Sequence, residues 1–316
     1  MNRTSNHHTP NQHGPNQHRP DHHGPDQHLG RRGFLFASAA LPVGLALPAA
    51  TTAAYPSSGV AVRKERPELN DAVAAGVAYF RRRCDDQLPL DESLLEAIRS
   101  RDLSAARRAY VESRPPYEEI ETCAYAFEDS DRDIDARPYA FDGGETDEAF
   151  RGFHKIEAML YAYDDLESAE PFAETLVASI KRLRAEMDQL DRFDAAGQFG
   201  GMIALSNEIA AKKVSSEEET WSDQTLLIFR SNWDGIISQF RPFAAADGGV
   251  PSAASEAVEA AYTSAEALVL PHFTSGTAAA TPYSRIGVRE RRAMADASLR
   301  LRDALISASR ALGLEG

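Results

Sequence analysis

From Pro67 to the C-terminal end, the apolar residues return every three or four positions, and that period admits helices and little else. Val73, Val77 and Phe80 begin one stripe. Leu94, Leu95 and Ile98 carry a second beyond Leu88-Pro89, where a proline inside a helical pattern predicts a break. A third helix opens near Leu103, meets Pro115-Pro116 and resumes from Tyr117 to Phe127. The spacing recurs over 172–190, over 199–209, and along Leu226, Phe229, Trp233, Ile237 and Phe240. Two last helices are expected over 252–270 and 288–312. No run alternates β-branched and polar residues, so no strand competes. The pattern predicts an all-α fold of about eight helices packed as bundles. Gly197, Gly200 and Gly201 punctuate it and predict two four-helix lobes, roughly 67–192 and 198–312. Long loops are expected over 129–149 and 272–283.

Charge narrows the partners. The 316 residues hold 34 Lys and Arg against 48 Asp and Glu, a net charge of −14. Nucleic acid binding needs a basic face, and none is visible. Two cysteines, Cys84 and Cys123, are too few for a zinc ribbon or a disulfide-dense scaffold; they either pair once or remain as buried thiols. Seven of the nine histidines fall in the first 28 residues, within a low-complexity tract too poor in apolar residues to fold. Arg31-Arg32 and a short apolar run over 36–50 follow, with Thr52-Ala53-Ala54 as a small-residue cleavage site. Residues 1–54 therefore read as a twin-arginine export signal, and residues 55–316 as the helical domain. On this reading the histidine tract leaves with the signal, and the mature chain is periplasmic, extracellular or at the cell surface.

The mature chain keeps two histidines, His154 and His272. His154 and Glu157 stand about 60° apart on a helical wheel, a spacing that lets both reach one cation, with Tyr161 about 20° from His154 as a hydrogen-bond partner. Glu118 and Glu121 repeat the spacing, with Tyr125 following on that face. Taken alone, either pair is equally that of a solvated helix surface. The segment 131–137 adds carboxylates around the apolar Ile134. In the run Glu217-Glu218-Glu219, Ser216 and Glu219 have capping-box spacing, which leaves Glu218 as the acid pointing inward. His272 follows Pro271 at a helix end and reads as a local cap or surface residue. There is no glycine-rich phosphate loop, nucleophile elbow or His-Glu-x-x-His zinc helix.

Four stretches, Arg114–Glu121, Asp133–Arg137, Gly152-Phe153-His154-Lys155-Ile156-Glu157 and Ser216–Glu219, together resemble the imelysin-like family, whose hallmark is Gly-x-His-x-x-Glu. The closest resemblance is to its EfeO-type periplasmic iron-uptake branch, without the cupredoxin domain that many members carry. The resemblance implies two four-helix lobes with a metal site between them. It implies Glu118, Glu121, Asp135, His154, Glu157 and Glu218 as ligands, with Tyr125, Tyr161 and Glu219 around them. It also implies ferrous or ferric iron as cargo, zinc or manganese being compatible with the same donors. The implied partners are a membrane iron permease and a peroxidase-like protein, and the implied role is transport and not catalysis. An imelysin-type metallopeptidase is the alternative, although one imidazole is few for a zinc peptidase. One departure stands out: Trp221-Ser222-Asp223 replaces a Tyr-Ser-His frequent in relatives, so a supporting imidazole is missing.

Overall fold

Amphipathic helices pack their apolar stripes together in the computed structural model, which describes residues 66–215 and 218–314. The export signal, cleavage point and histidine tract expected within residues 1–54, and Glu217, lie outside the described residues. The helices are α1 (Asn70–Arg99), α2 (Leu103–Ile120), α3 (Glu128–Asp135), α4 (Phe153–Glu157) and α5 (Leu166–Glu186), then α6 (Ala195–Ala211), α7 (Thr225–Ala245), α8 (Ser252–Val269) and α9 (Val288–Ala311). Among the described residues the fold is an all-α bundle without strands, apart from an isolated bridge between Phe273 and Ala280 in the 272–283 loop.

Packing follows the stripes. Helix α1 lies against α2 and α5, while α6 and α8 lie against α9. Helix α7 touches α1 and α2 as well as α6 and α8, which suits the helix that buries the most residues among those described. Phe80, Ile98, Phe229, Trp233 and Phe240 are fully buried. Three helices begin on aspartate caps: Asp102, Asp165 and Asp194 accept from the backbone N–H of Ala105, Ser168 and Gly197. Such caps contribute about 1 kcal/mol each.

The proline breaks do not occur. Helix α1 runs unbroken through Pro89, and α2 through Pro115-Pro116. Pro89 is exposed, and the carbonyl it leaves free belongs to exposed Asp85, where water replaces the missing N–H. Near the second pair, the Gln87 side chain donates to the Ser113 carbonyl at 2.8 Å. Helix α2 ends one residue before Glu121, where the chain tightens into a 3-10 turn (Glu121–Ala126). The expected loop 129–149 also starts as helix α3, whose first turn gathers Glu128, Asp129 and Asp131 at the favourable dipole end.

Two glycines allow close approaches that position the site. A Cβ on Gly235 of α7 would lie 2.4 Å from the Glu119 carbonyl oxygen, so α7 and α2 touch backbone to backbone. Gly152, the first residue of the Gly-x-His-x-x-Glu stretch, has φ +84°, and a Cβ there would lie 2.2 Å from the Ile134 carbonyl oxygen. The end of α3 and the start of α4 are thereby pressed together. Gly152→Ala is expected to destabilise the protein by about 1–3 kcal/mol, through left-handed strain plus the clash, read as a lower urea midpoint.

Candidate metal centre

Four segments converge on one buried cluster. Helix α2 brings Glu118, and the turn after it Glu121; the last residue of α3 is Asp135. Helix α4 brings His154 and Glu157, and the loop ahead of α7 brings Glu218 and Glu219. Glu118, Asp135, His154, Glu157, Glu218 and Glu219 are all buried. A ring nitrogen of His154 and oxygens of Glu157 and Glu219 lie within 4.8 Å of one another, and so do oxygens of Glu118, Asp135 and Glu218. Each trio has the reach to hold a metal ion.

Three internal cations bind these carboxylates. Arg114, fully buried, donates to Glu118 and, at 2.8 Å, to Asp135 Oδ1; its Nε stands 2.9 Å from Glu219 Oε1. Its guanidinium also lies over the Phe153 ring, 4.4 Å from the centroid. Lys213 Nζ donates to both Glu121 oxygens at 3.0 and 2.7 Å and to Asn232 Oδ1 at 3.0 Å, with Glu218 Oε1 at 3.1 Å. Arg137 donates to Glu218 and stands 3.7 Å from Asp135. Neutral donors complete the frame. The Trp221 and Ser222 amides donate to Glu157 Oε1 at 2.8 and 2.7 Å. Tyr110 and Ser222 donate to Glu219, and Asn232 Nδ2 donates to Glu118 Oε2 at 3.0 Å and Glu121 Oε2 at 2.8 Å.

The charge does not balance. Six carboxylates face three cations, so full ionisation would leave three uncompensated negative charges in the buried cluster. Burial pushes Glu118 and Glu157 well above the usual carboxylate range and raises Glu121 and Glu219. Burial opposes the charge of Asp135 and Glu218 too, but the cations beside them outweigh it and hold both low. His154 is held neutral by burial and by Arg137 and Arg114. Its Nδ1 stands 3.1 Å from Glu157 Oε2, a contact that either tautomer can make. Nε2 is buried and without a hydrogen bond, with Asp135 Oδ1 3.5 Å away. An unpartnered imidazole nitrogen among surplus carboxylates is the donor set of a hard or borderline cation.

Five of the six expected ligands fall in the two trios, and Glu121 adjoins them through Lys213 and Asn232, but three local expectations change. Glu219 does not open α7, which begins later, at Thr225, and it is buried beside Glu218; Ser216, its expected capping partner, lies outside the described residues. Tyr161 does not reach His154. Residues 158–162 form a π-helical turn, wider than the α-helix assumed on the wheel, and the Tyr161 hydroxyl donates to the Arg107 carbonyl at 2.9 Å. Tyr125 packs edge-on to Phe193 and lines a cavity beside Glu121. Asp223, at the position of the missing imidazole, has φ 62° and accepts from Ser284, tying down the chain ahead of α9. His272, in a 3-10 turn, takes no part in either trio. Cys84 and Cys123 are free and buried, and burial pushes the Cys84 thiol up to about 12.

Sequence reasoning missed Arg114, Arg137, Lys213, Tyr110 and Asn232. A signal existed for Arg114, four residues before Glu118 on one helix face, and for Asn232, polar beside the apolar stripe of α7. Lys213, in a Lys-Lys pair at a helix end, gave none.

At the edge of the cluster, Tyr117 donates to Asp131 at 2.6 Å. Burial, with the charges of Asp135 and Glu121 adding, pushes the Asp131 carboxyl up to about 7. A carboxyl that holds its proton more tightly when folded contributes stability below its unfolded pKa, and that contribution is lost as pH rises through about 7. Asp131→Asn is expected to flatten the fall in stability between acidic and mildly alkaline pH, measured by urea denaturation across that range.

Comparison with known proteins adds a second line. The family model described as imelysin matches residues 82–282. The iron uptake system component EfeM of Pseudomonas syringae pv. syringae (strain B728a) is 31% identical over 167 residues, covering 52% of this chain and 58% of that protein. The iron uptake system component EfeO of Yersinia pseudotuberculosis serotype I (strain IP32953) is 31% identical over 184 residues, covering 57% of this chain and 49% of its own. The EfeO component of Escherichia coli (strain K12) is 30% identical over 177 residues, covering 55% and 47%. The matched region spans about half the length of these relatives.

Proposed function

This chain belongs to the imelysin family, and on that premise we propose that it is the exported iron-binding component of an iron-uptake system. It captures ferrous or ferric iron in the cluster of Glu118, Glu121, Asp135, His154, Glu157 and Glu218, with Glu219 beside them, and passes it to a membrane permease. The observation that carries the reading is His154 Nε2, a neutral, buried and unpartnered donor facing carboxylates whose charge exceeds that of their internal cations. The names of the matched relatives, iron uptake system components, support the choice of metal. Hard oxygen donors with one imidazole favour iron over copper(I), and manganese or zinc would compete in vitro. Among the described residues no helix is long and apolar enough to cross a membrane, in keeping with a carrier that meets its permease from outside the bilayer.

The test is titration of the stripped, mature protein with iron. The unaltered chain is expected to bind stoichiometrically, and His154→Ala with Glu157→Ala to lose at least about tenfold in affinity. Unchanged binding in that double variant would falsify the site. Proton competition gives a second check. Burial raises Glu118, Glu121, Glu157 and Glu219, so protons compete with iron for these oxygens at higher pH than they would for exposed carboxylates. Affinity is therefore expected to fall as pH is lowered, beginning at a higher pH than for exposed carboxylates. Calorimetry in two buffers of different ionisation enthalpy should show protons released on loading.

A further inference from the structure

The cluster has a way out to solvent. A cavity of about 490 Å³ reaches it, and its wall includes Glu121 and Asp135 of the cluster, with Asp131 and Glu208 further along. The bases on that wall are Arg132 and Arg137. The wall thus carries four carboxyl groups and two guanidinium groups. Glu118, Glu157 and Glu219 do not belong to the wall, and neither does Glu218, which lies behind Arg137.

The three internal cations are not equivalent. Arg114 is fully buried, projects from α2, meets three carboxylates and stacks on Phe153. Lys213 is equally enclosed, held by Glu121, Glu218 and Asn232. Arg137 comes from the non-helical stretch after α3, its side chain is 11% exposed, and it forms part of the cavity wall. Its two carboxylate partners, Glu218 and Asp135, are both members of the all-oxygen trio. A metal ion seated on these carboxylates brings like charge beside all three cations, and of the three Arg137 is the one that lines the cavity and has a path away from the ion.

We propose that Arg137 is an exchangeable counter-ion. It neutralises Glu218 and Asp135 until an iron cation, arriving through the cavity past Glu121, takes those carboxylates and sends the guanidinium into the cavity. Arg114 and Lys213 stay in place and keep the remaining acids positioned. The proposal rests on the reading of the cluster as an iron site.

The experiment uses the mature chain, ferrous iron under argon and stopped-flow tryptophan fluorescence; Trp221, whose amide donates to Glu157, is the natural reporter. Arg137→Gln is expected to bind iron about tenfold or more tighter, the worth of a charge-assisted hydrogen bond no longer broken on loading. The metal-free variant should melt at a lower temperature, because buried Glu218 loses one of its two cationic partners and keeps only Lys213. Opposite signs for these two effects are the signature of counter-ion exchange. Ala204→Trp, which narrows the cavity at an exposed position, should slow association and dissociation equally and leave equilibrium affinity unchanged. It reports on the route even if Arg137→Gln does not fold. Weaker or unchanged iron binding by Arg137→Gln, or unaltered rates in Ala204→Trp, overturns the proposal alone. Absence of iron binding by the unaltered protein overturns the site reading and this proposal together.

Discussion

Arg114 is the interaction on which the rest of the centre depends. A guanidinium with no access to water must be paired on every side, and here it is paired by three carboxylates from three different segments. Glu118 is on its own helix, Asp135 ends α3, and Glu219 belongs to the loop before α7. Its two hydrogen bonds fix the Glu118 and Asp135 oxygens, Glu219 lies against its Nε as an ion pair, and the Phe153 ring stacks beneath the guanidinium. Removing either side of such a set leaves uncompensated charge in the interior, the costliest defect a core can carry. The arrangement is therefore poor as a source of stability and good as a means of holding a particular shape.

Around that fixed point the electrostatics divide the acids into two kinds. Asp135 and Glu218, which share Arg137, are held low, whereas burial outweighs the neighbouring cations at Glu118 and Glu121 and raises both, as it does Glu157. The interior thus holds more carboxylates than internal cations. Neutral His154 adds the one nitrogen donor, and the Trp221 and Ser222 amides orient Glu157 next to it.

Much of this was legible in the sequence. The three-and-four spacing specifies helices, and five of the six expected ligands fall in the two trios, because apolar period and carboxylate spacing are local properties that a linear chain displays. The failures are equally physical. Pro89 was misread because a proline on the wet side of a helix loses a bond that water replaces. Tyr161 was misread because one π-turn shifts every later residue on the wheel. Glu219 was misread because capping-box spacing is common and says nothing about whether a helix begins there. The cations that complete the site come from elsewhere in the chain, and Lys213 meets Glu121 across 92 positions, a juxtaposition that no local pattern encodes.

The contact between Gly235 and the Glu119 carbonyl has a mechanical meaning. Where two helices meet through side chains, a layer of rotamers lies between them and can yield. Here there is no such layer, and the joint is as stiff as the peptide groups themselves. Asn232, one turn before that glycine, reaches Glu118 and Glu121 from the stiff side of the joint. Glu118 and Glu121 are thus held from α7 across a joint that has no side-chain layer to give way.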